Sequence, residues 1–276
     1  MTSRERARRR ESPHARTYLM CPPEYFTVEY AINPWMRPGE PVDFPLAMRQ
    51  WEQLKATYIG LGHTVRVIPP VPGLPDMVFA ANGGTVIGGK VLGARFKHSE
   101  RVPEGPAYLA WFRQHGYSAA VEPAHVNEGE GDIIFAGRAI IAGHGFRTDQ
   151  ALRRTISELF ELPVISVRLV DPRFYHLDTA LMVLGPDAVA YFPAAFDEAS
   201  QAAIAGHFSE LIEAKDSDAE VLGLNGLSDG RHVVMPVQAT GLAAQITAAG
   251  YTVVPVDMSE FMKAGGGPKC CTLELR

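Results

Sequence analysis

The chain is 276 residues long, 46% apolar, and carries a formal net charge of −5. That is enough for a sizeable core, and the acidic balance argues against a general nucleic-acid or anionic-membrane surface. Three cysteines, two of them the neighbours Cys270 and Cys271, are too few and too badly placed for a disulfide framework, so reduced thiols and a cytoplasmic setting are expected.

Residues 1–17 (MTSRERARRRESPHART) are Arg-rich, without apolar periodicity and without the apolar stretch of a secretory signal. Their composition predicts a disordered basic tail ahead of a single domain over 18–276. No later stretch approaches the ~18 apolar residues of a membrane span. Amphipathic helices are predicted near 43–61, 104–116, 148–161, 198–213 and 239–249. Each leads toward a strand-like run: HTVRVIP, YSAAVEP, LPVISVRLV, AEVLGL and YTVVPV. Between the helical segments, apolar pairs centred on Gly88-Gly89, on Gly137 and on Gly185-Pro186-Asp187 predict hairpins. The composite is a strand–strand–helix–strand unit that recurs as a pattern, without internal sequence identity. About five such units would close on themselves more readily than form a doubly wound sheet, so the fold class is α/β. GxGxxG after a first strand and GxxxxGK are both missing, which disfavours a nucleotide cofactor.

The chemistry-bearing residues fall in four stretches. In GGGPKCCTLELR, an extended run over 270–275 would put Cys271, Leu273 and Leu275 on an apolar face, and Cys270, Thr272 and Glu274 on a polar one. That assigns Cys271 to a core and Cys270 to a functional or solvent side, although a buried small hydrophobe is the plain alternative for either thiol. The glycines offer a simple turn, or a backbone that a ligand can approach closely. In FYHLDTALMV, His176 and Asp178 share one face if the segment is a strand. In VNEGEGDII, Glu128, Glu130 and Asp132 repel one another unless a cation sits among them. This is either a solvated acidic turn or a site for a metal or a cationic substrate, the metal being disfavoured by the lack of HExxH, CxxC or EF-hand spacing. In LPDMVFAANGG, Asp76 and Asn82 taken alone are ordinary turn residues. Together the set suits thiolate attack on a cationic carbon, with His as acid and base and carboxylates holding the cation.

The order Asp76, Glu128-Gly, His176-Leu-Asp178 and Gly-Gly-Gly-Pro-Lys-Cys270 resembles the guanidine-modifying enzymes, or penteins. These include arginine deiminase, dimethylarginine dimethylaminohydrolase, glycine amidinotransferase and arginine dihydrolase. The resemblance runs from about Cys21 to the C-terminus. It implies a five-bladed α/β propeller of ββαβ units acting on a small guanidino substrate, with no cofactor and no metal; a homo-oligomer is left open. It further implies that Cys270 is the nucleophile, His176 the general acid and base, and Glu128 the carboxylate that orients His176. This loop reads EGEGD where many members read EGGD, which leaves Glu128 and Glu130 both open as the His partner. Arg147 and Arg95 match positions that commonly bind the substrate carboxylate, and Asp76 matches a substrate-binding acid.

Two positions bear on the branch. The HLD order resembles deiminases and amidinotransferases, in which the Asp grips the guanidinium; dimethylargininases usually carry Lys there. A methylated nitrogen has fewer N–H donors for Asp178 to accept. Where deiminases and dimethylargininases typically carry an acid pair, this chain has Ala81-Asn82. With the early CPPEYFTVEYAINPWM segment, this resembles arginine dihydrolases, which convert arginine to ornithine, ammonia and carbon dioxide in two rounds. Asn33 is then a candidate partner of Asn82. An Asn offers both donor and acceptor and so suits cationic arginine and neutral citrulline in turn. The competing expectations are dimethylarginine hydrolysis, a deiminase that stops at citrulline and, from another class, a non-catalytic propeller that binds a partner.

Overall fold

The structure is a computed structural model that describes residues 15–276. Most of the expected basic tail, residues 1–14, lies outside the described residues. Residues 15–17 already belong to the fold: Arg16 pairs with Glu274, and Thr17 opens the first strand.

Strands and helices follow the expected order. They are β1 (Thr17–Met20), α1 (Phe44–Gly60), β2 (Thr64–Val67), β3 (Gly84–Ile87), β4 (Lys90–Gly93), α2 (Glu104–Gln114), β5 (Ile133–Phe135), β6 (Ile140–His144), α3 (Leu152–Phe160) and β7 (Val164–Arg168). Then come β8 (Leu181–Gly185), β9 (Ala188–Tyr191), α4 (Glu198–His207), β10 (Glu210–Glu213), β11 (Leu227–Ser228), β12 (His232–Pro236), α5 (Thr240–Ala248), β13 (Thr252–Val256) and β14 (Leu273–Glu274). They form five small sheets, each with an antiparallel pair. In four of them a helix leads to a third strand, parallel to the second. The second unit departs from the pattern: its expected strand at 117–123 is reduced to a single parallel bridge between Leu92 and Val121. The first unit joins the two ends of the described chain, because β14 pairs antiparallel with β1, Tyr18 facing Glu274.

Local chemistry accounts for the elements. Asp43 caps α1 by accepting the Leu46 N–H, and Pro45 occupies the first turn, where no N–H is needed. The helix buries Ala47, Trp51, Leu54 and Tyr58, each large side chain contributing roughly 1.5–3 kcal/mol of apolar burial. Asp197 caps α4 through the Ser200 N–H. Gly88 and Gly89 both have positive φ, 59° and 73°, as the two-residue turn between Ile87 and Lys90 demands.

Two expectations fail in the fourth unit. The helix expected over 198–213 stops at His207, because Phe208 turns extended and 210–213 pairs with β9. Its ELIE alternation spans only four residues, too few to tell period two from period 3.6. The AEVLGL strand is instead a turn of helix at Asp216–Ala219 followed by turns, with Leu222 at φ 52°. Within the units the hairpin strands are buried, whereas the third strands, such as β2 and β10, are partly exposed. The chain entering each hairpin is therefore drawn to the interior. No helix among the described residues is long and apolar enough to cross a membrane.

Candidate active site

Tight turns precede the first strand of every unit: 80–83 before β3, 129–131 before β5, 177–179 before β8, 221–224 before β11 and 269–271 before β14. In or beside them stand buried polar side chains: Asn82, Glu128 with Glu130, His176 with Asp178, Asn225 and Cys270.

Cys270 is 1% exposed and sits in a turn, so the extended run expected from 270 begins only at Leu273. Strand alternation is thus not what separates the two thiols, and Thr272 and Glu274, expected on an open face, are buried as well. Both thiols belong to the core cluster that holds Trp51, Tyr58 and Phe261, and Cys271 has no polar side-chain partner there. The Cys270 thiol instead donates to Asp178 Oδ2 at 3.3 Å and accepts from Asn225 Nδ2 at 3.1 Å. Burial pushes the thiol well up from its ordinary value, the Asp178 charge adds to this, and the Gly267 backbone N–H opposes it. Burial likewise raises the Asp178 carboxyl, against the opposing pull of His176 and Lys269.

The three acids of the EGEGD loop do not converge. Glu128 Oε2 receives His176 Nε2 at 2.6 Å and Arg147 Nη1 at 2.8 Å, while Oε1 accepts the Lys97 N–H. Burial alone would raise this carboxyl, but the His176 hydrogen bond and the Arg147 charge outweigh it and hold it below the usual carboxylate range. An ionised Glu128 can only accept, so Nε2 carries the hydrogen. His176 Nδ1 is buried and without a hydrogen-bond partner. Glu130 faces elsewhere, pairing with Lys269 at 2.8 Å and accepting the Glu274 N–H. Asp132 fastens the two neighbouring elements by accepting the Leu177 and Thr148 N–H groups. A Cβ on Gly131 would overlap Asn82 Nδ2 and lie 3.2 Å from the His176 ring, so only glycine lets these two groups approach.

On the other flank, Asp76 Oδ2 accepts the Tyr30 hydroxyl at 2.9 Å. Arg101 lies 3.9 Å from the same oxygen and forms a two-pronged pair with Glu104, both bonds at 2.8 Å. Its Nη1 also donates to Asn82 Oδ1 at 2.9 Å, and Asn82 Nδ2 donates to the Glu128 carbonyl. One lone pair and one N–H of Asn82 remain for a ligand. Burial pushes the Glu104 carboxyl up to about 7 against the pull of Arg101.

Three expectations change. Arg95 is exposed and donates to the Ala124 carbonyl; the buried arginine of the ARFKHSER stretch is Arg101. The antiparallel bridge of Arg95 to Asn127 turns its side chain away from the site. Asn33 does not pair with Asn82: its carboxamide accepts the Trp35 and Met36 N–H groups and donates to the Ala264 carbonyl, pinning the 22–42 loop to the glycine segment. The glycines themselves are required by the protein's own side chains, since a Cβ on Gly266 would overlap the Phe79 ring and one on Gly265 (φ 83°) would sit 2.9 Å from Asn33 Oδ1. Arg147 is inside, as expected, but held: it bonds Glu128 and the Ile32 carbonyl and lies over the Tyr175 ring at 4.8 Å. Arg101 and Asn225 were not singled out from sequence. The repeat offered a signal for Asn225, which stands before its hairpin as Asn82 does before its own.

Nine buried side-chain atoms among the described residues have no hydrogen-bond partner, and three of them belong to the groups just described: Asp76 Oδ1, Asp178 Oδ1 and His176 Nδ1. Two of these three are carboxylate oxygens, so the open valences ask for a ligand rich in N–H donors and positive charge. Asp178 also lines a cavity of about 470 Å³ with Glu130, Lys269, Glu274 and Arg276, which neither Cys270 nor His176 lines.

Four ββαβ units and a fifth reduced to its strand pair and helix, with a buried thiol, a carboxylate-bound imidazole and aspartates that each keep an unpartnered oxygen, define a protein of the pentein type. The chain belongs to the family described as N,N dimethylarginine dimethylhydrolase, eukaryotic, which it matches over residues 23–276. It is 50% identical over 266 residues to the N(G),N(G)-dimethylarginine dimethylaminohydrolase of Mycobacterium tuberculosis, covering 96% of this chain and 88% of that protein. It is 36% identical over 263 residues to the bifunctional arginine dihydrolase/ornithine cyclodeaminase ArgZ of Synechocystis sp., of whose length it spans 37%. The N-terminal domain of ArgZ, solved covalently bound to a reaction intermediate, superposes with a TM-score of 0.90 at 36% identity, covering 95% of this chain and 98% of that one. The protein is accordingly a hydrolase of guanidino carbon–nitrogen bonds.

Proposed function

We propose that the protein is an arginine dihydrolase. The observation that carries this reading is the buried Asp178 carboxylate 3.3 Å from Cys270 Sγ, with its second oxygen unpartnered. Such a group accepts N–H bonds from an unmethylated guanidinium and has nothing to accept from a dimethylated nitrogen. As the guanidinium docks, Asp178 exchanges the thiol for substrate N–H groups, and the thiol proton passes to His176. The arriving cation favours the thiolate. Sulfur attacks the guanidinium carbon, and His176 returns the proton to the departing ammonia, leaving a thiouronium on Cys270. Water then adds to that carbon with His176 as base, the C–S bond breaks and citrulline forms. Glu128 keeps the imidazole oriented, and Arg101, Arg147 and Asp76 are the groups assigned to the amino-acid end of the substrate. A second attack on retained citrulline, helped by the donor and acceptor of Asn82, expels the second ammonia; hydrolysis then gives ornithine and carbon dioxide.

Hydrolysis of dimethylarginine to citrulline and dimethylamine is the second reading, favoured by the family and by the name of the Mycobacterium tuberculosis relative. Mass spectrometry of products from arginine and from asymmetric dimethylarginine separates the readings. Ornithine with two ammonia per arginine is expected. Citrulline as the sole end product of arginine would leave a deiminase, and dimethylamine release with inert arginine would leave a dimethylargininase. No turnover of any guanidine, unchanged by Cys270→Ser, would point to a binding propeller.

A further inference from the structure

Asn225 is fully buried and uses every hydrogen-bonding position of its carboxamide. Oδ1 accepts the Gly267 N–H at 2.9 Å and the Cys270 N–H at 3.1 Å. Nδ2 donates to the Asp178 carbonyl at 3.1 Å and to Cys270 Sγ at 3.1 Å. The orientation follows from chemistry. Two backbone N–H groups can only donate, so oxygen must face them, and the Asp178 carbonyl can only accept, so nitrogen must face it. Turning the amide over would oppose donors to donors and acceptor to acceptor. An N–H is thus fixed on the sulfur.

The fold gives a second, independent reason to single out this residue. Four of the five turns that enter the hairpins carry Asn82, Glu128 with Glu130, His176 with Asp178, and Cys270; Asn225 follows the remaining one. It comes from a different unit than either group it joins, since Asp178 precedes β8 and Cys270 precedes β14.

We propose that Asn225 is a positioning residue for Cys270, its carbonyl locking the loop that carries the thiol and its N–H supporting the thiolate when the proton leaves. This rests on the reading of Cys270 as nucleophile. Sulfur in the resting site gives a hydrogen to Asp178 and receives one from Asn225. When the guanidinium takes over Asp178, the Asn225 N–H stays in place and needs no reorganisation as charge appears on the sulfur.

The test needs no substrate, so it is independent of which guanidine is hydrolysed, or whether one is. The full chain is alkylated with iodoacetamide across pH 6–10, and labelling of Cys270 is read by mass spectrometry of its peptide. Asn225→Leu keeps the size of the side chain, adds no charge, and removes the donor from the sulfur together with the acceptor that holds the two backbone N–H groups. The expected result is a midpoint displaced to higher pH and labelling at pH 8 slowed on the order of tenfold, one unit of thiol pKa being a factor of ten. A purely structural role would instead loosen the loop and speed labelling at every pH with the midpoint unchanged, and that outcome, or a profile that coincides with wild type, overturns the proposal. Should Asn225→Leu fail to fold, the wild-type protein still decides. With asparagine nitrogens labelled, the Asn225 side-chain amide proton is expected to titrate with the same midpoint as Cys270 alkylation, and a resonance that ignores that titration overturns the proposal.

Discussion

Asp76 and Asp178 are both 1% exposed, both pushed up by burial, and both left with one oxygen unpartnered. They differ in what already stands beside them. Asp76 has a resident guanidinium, Arg101, together with the Tyr30 hydroxyl. Asp178 has one side-chain hydrogen bond, from the weak thiol donor of Cys270, and feels the charges of His176 and Lys269 without a hydrogen bond to either, Lys269 being committed to Glu130. A buried carboxylate is expensive until a cation meets it. The Asp76 corner has met its own, whereas the Asp178 corner waits for one from outside. The difference teaches where an incoming cation gains most, and it is beside the sulfur.

Replacing each aspartate tests that asymmetry. Asp178→Asn is expected to lower kcat/KM for arginine about 10²–10⁴-fold, the equivalent of the ~3–5 kcal/mol lost when one member of a buried charge pair is removed. Because the Asp178 charge raises the thiol, the same variant should shift Cys270 alkylation to lower pH in the absence of substrate. In the wild type, cation binding requires ionised Asp178, whose carboxyl lies above its ordinary value. The acid limb of kcat/KM should therefore fall at a pH above about 4, where an unperturbed Asp titrates, and an acid limb below that would contradict the account. Asn82→Asp reaches between the corners, since Asn82 touches both Arg101 and the Glu128 carbonyl. Citrulline should accumulate from arginine, with the first round slowed by no more than about tenfold, roughly the worth of one hydrogen bond to a charged group. Ornithine formed at the wild-type ratio would remove Asn82 from the second round. Asp76→Asn should be mildest, raising KM about tenfold for the loss of ~1.5 kcal/mol with kcat nearly kept, because Glu104 still neutralises Arg101. It should leave the alkylation profile of Cys270 where it was; a shift as large as that of Asp178→Asn would erase the distinction between the corners.

The residues that could be read from sequence were those whose meaning is local. Gly88-Gly89 specifies its turn whatever surrounds it, and the five helical periodicities stand in place, one of them too long. Glu128 against Glu130 could not be read, because the two sit two residues apart in one loop and are sorted only by what arrives from elsewhere, His176 and Arg147 for one and Lys269 for the other. That Arg95 is exposed and Arg101, which was not singled out, is buried could not be read for a similar reason. Which arginine of ARFKHSER turns inward depends on its pairing with Asn127, a partner 32 residues away. The strand pattern used to separate Cys270 from Cys271 does not hold, because both lie in a turn and both are buried. The partners that separate them, Asp178 and Asn225, lie 92 and 45 residues back along the chain.

The pairing of β14 with β1 has a temporal meaning. Tyr18 and Glu274 are about as far apart in the chain as two described residues can be, and closing so long a loop is entropically costly and late. Cys270 lies in the turn that this closure anchors. Refolding can restore helices and the inner hairpins early, yet the thiol has no fixed position until the last strand docks beside the first. A chain that has recovered most of its secondary structure can thus still lack the contacts of Cys270 with Asp178 and Asn225, which form only as the last strand docks.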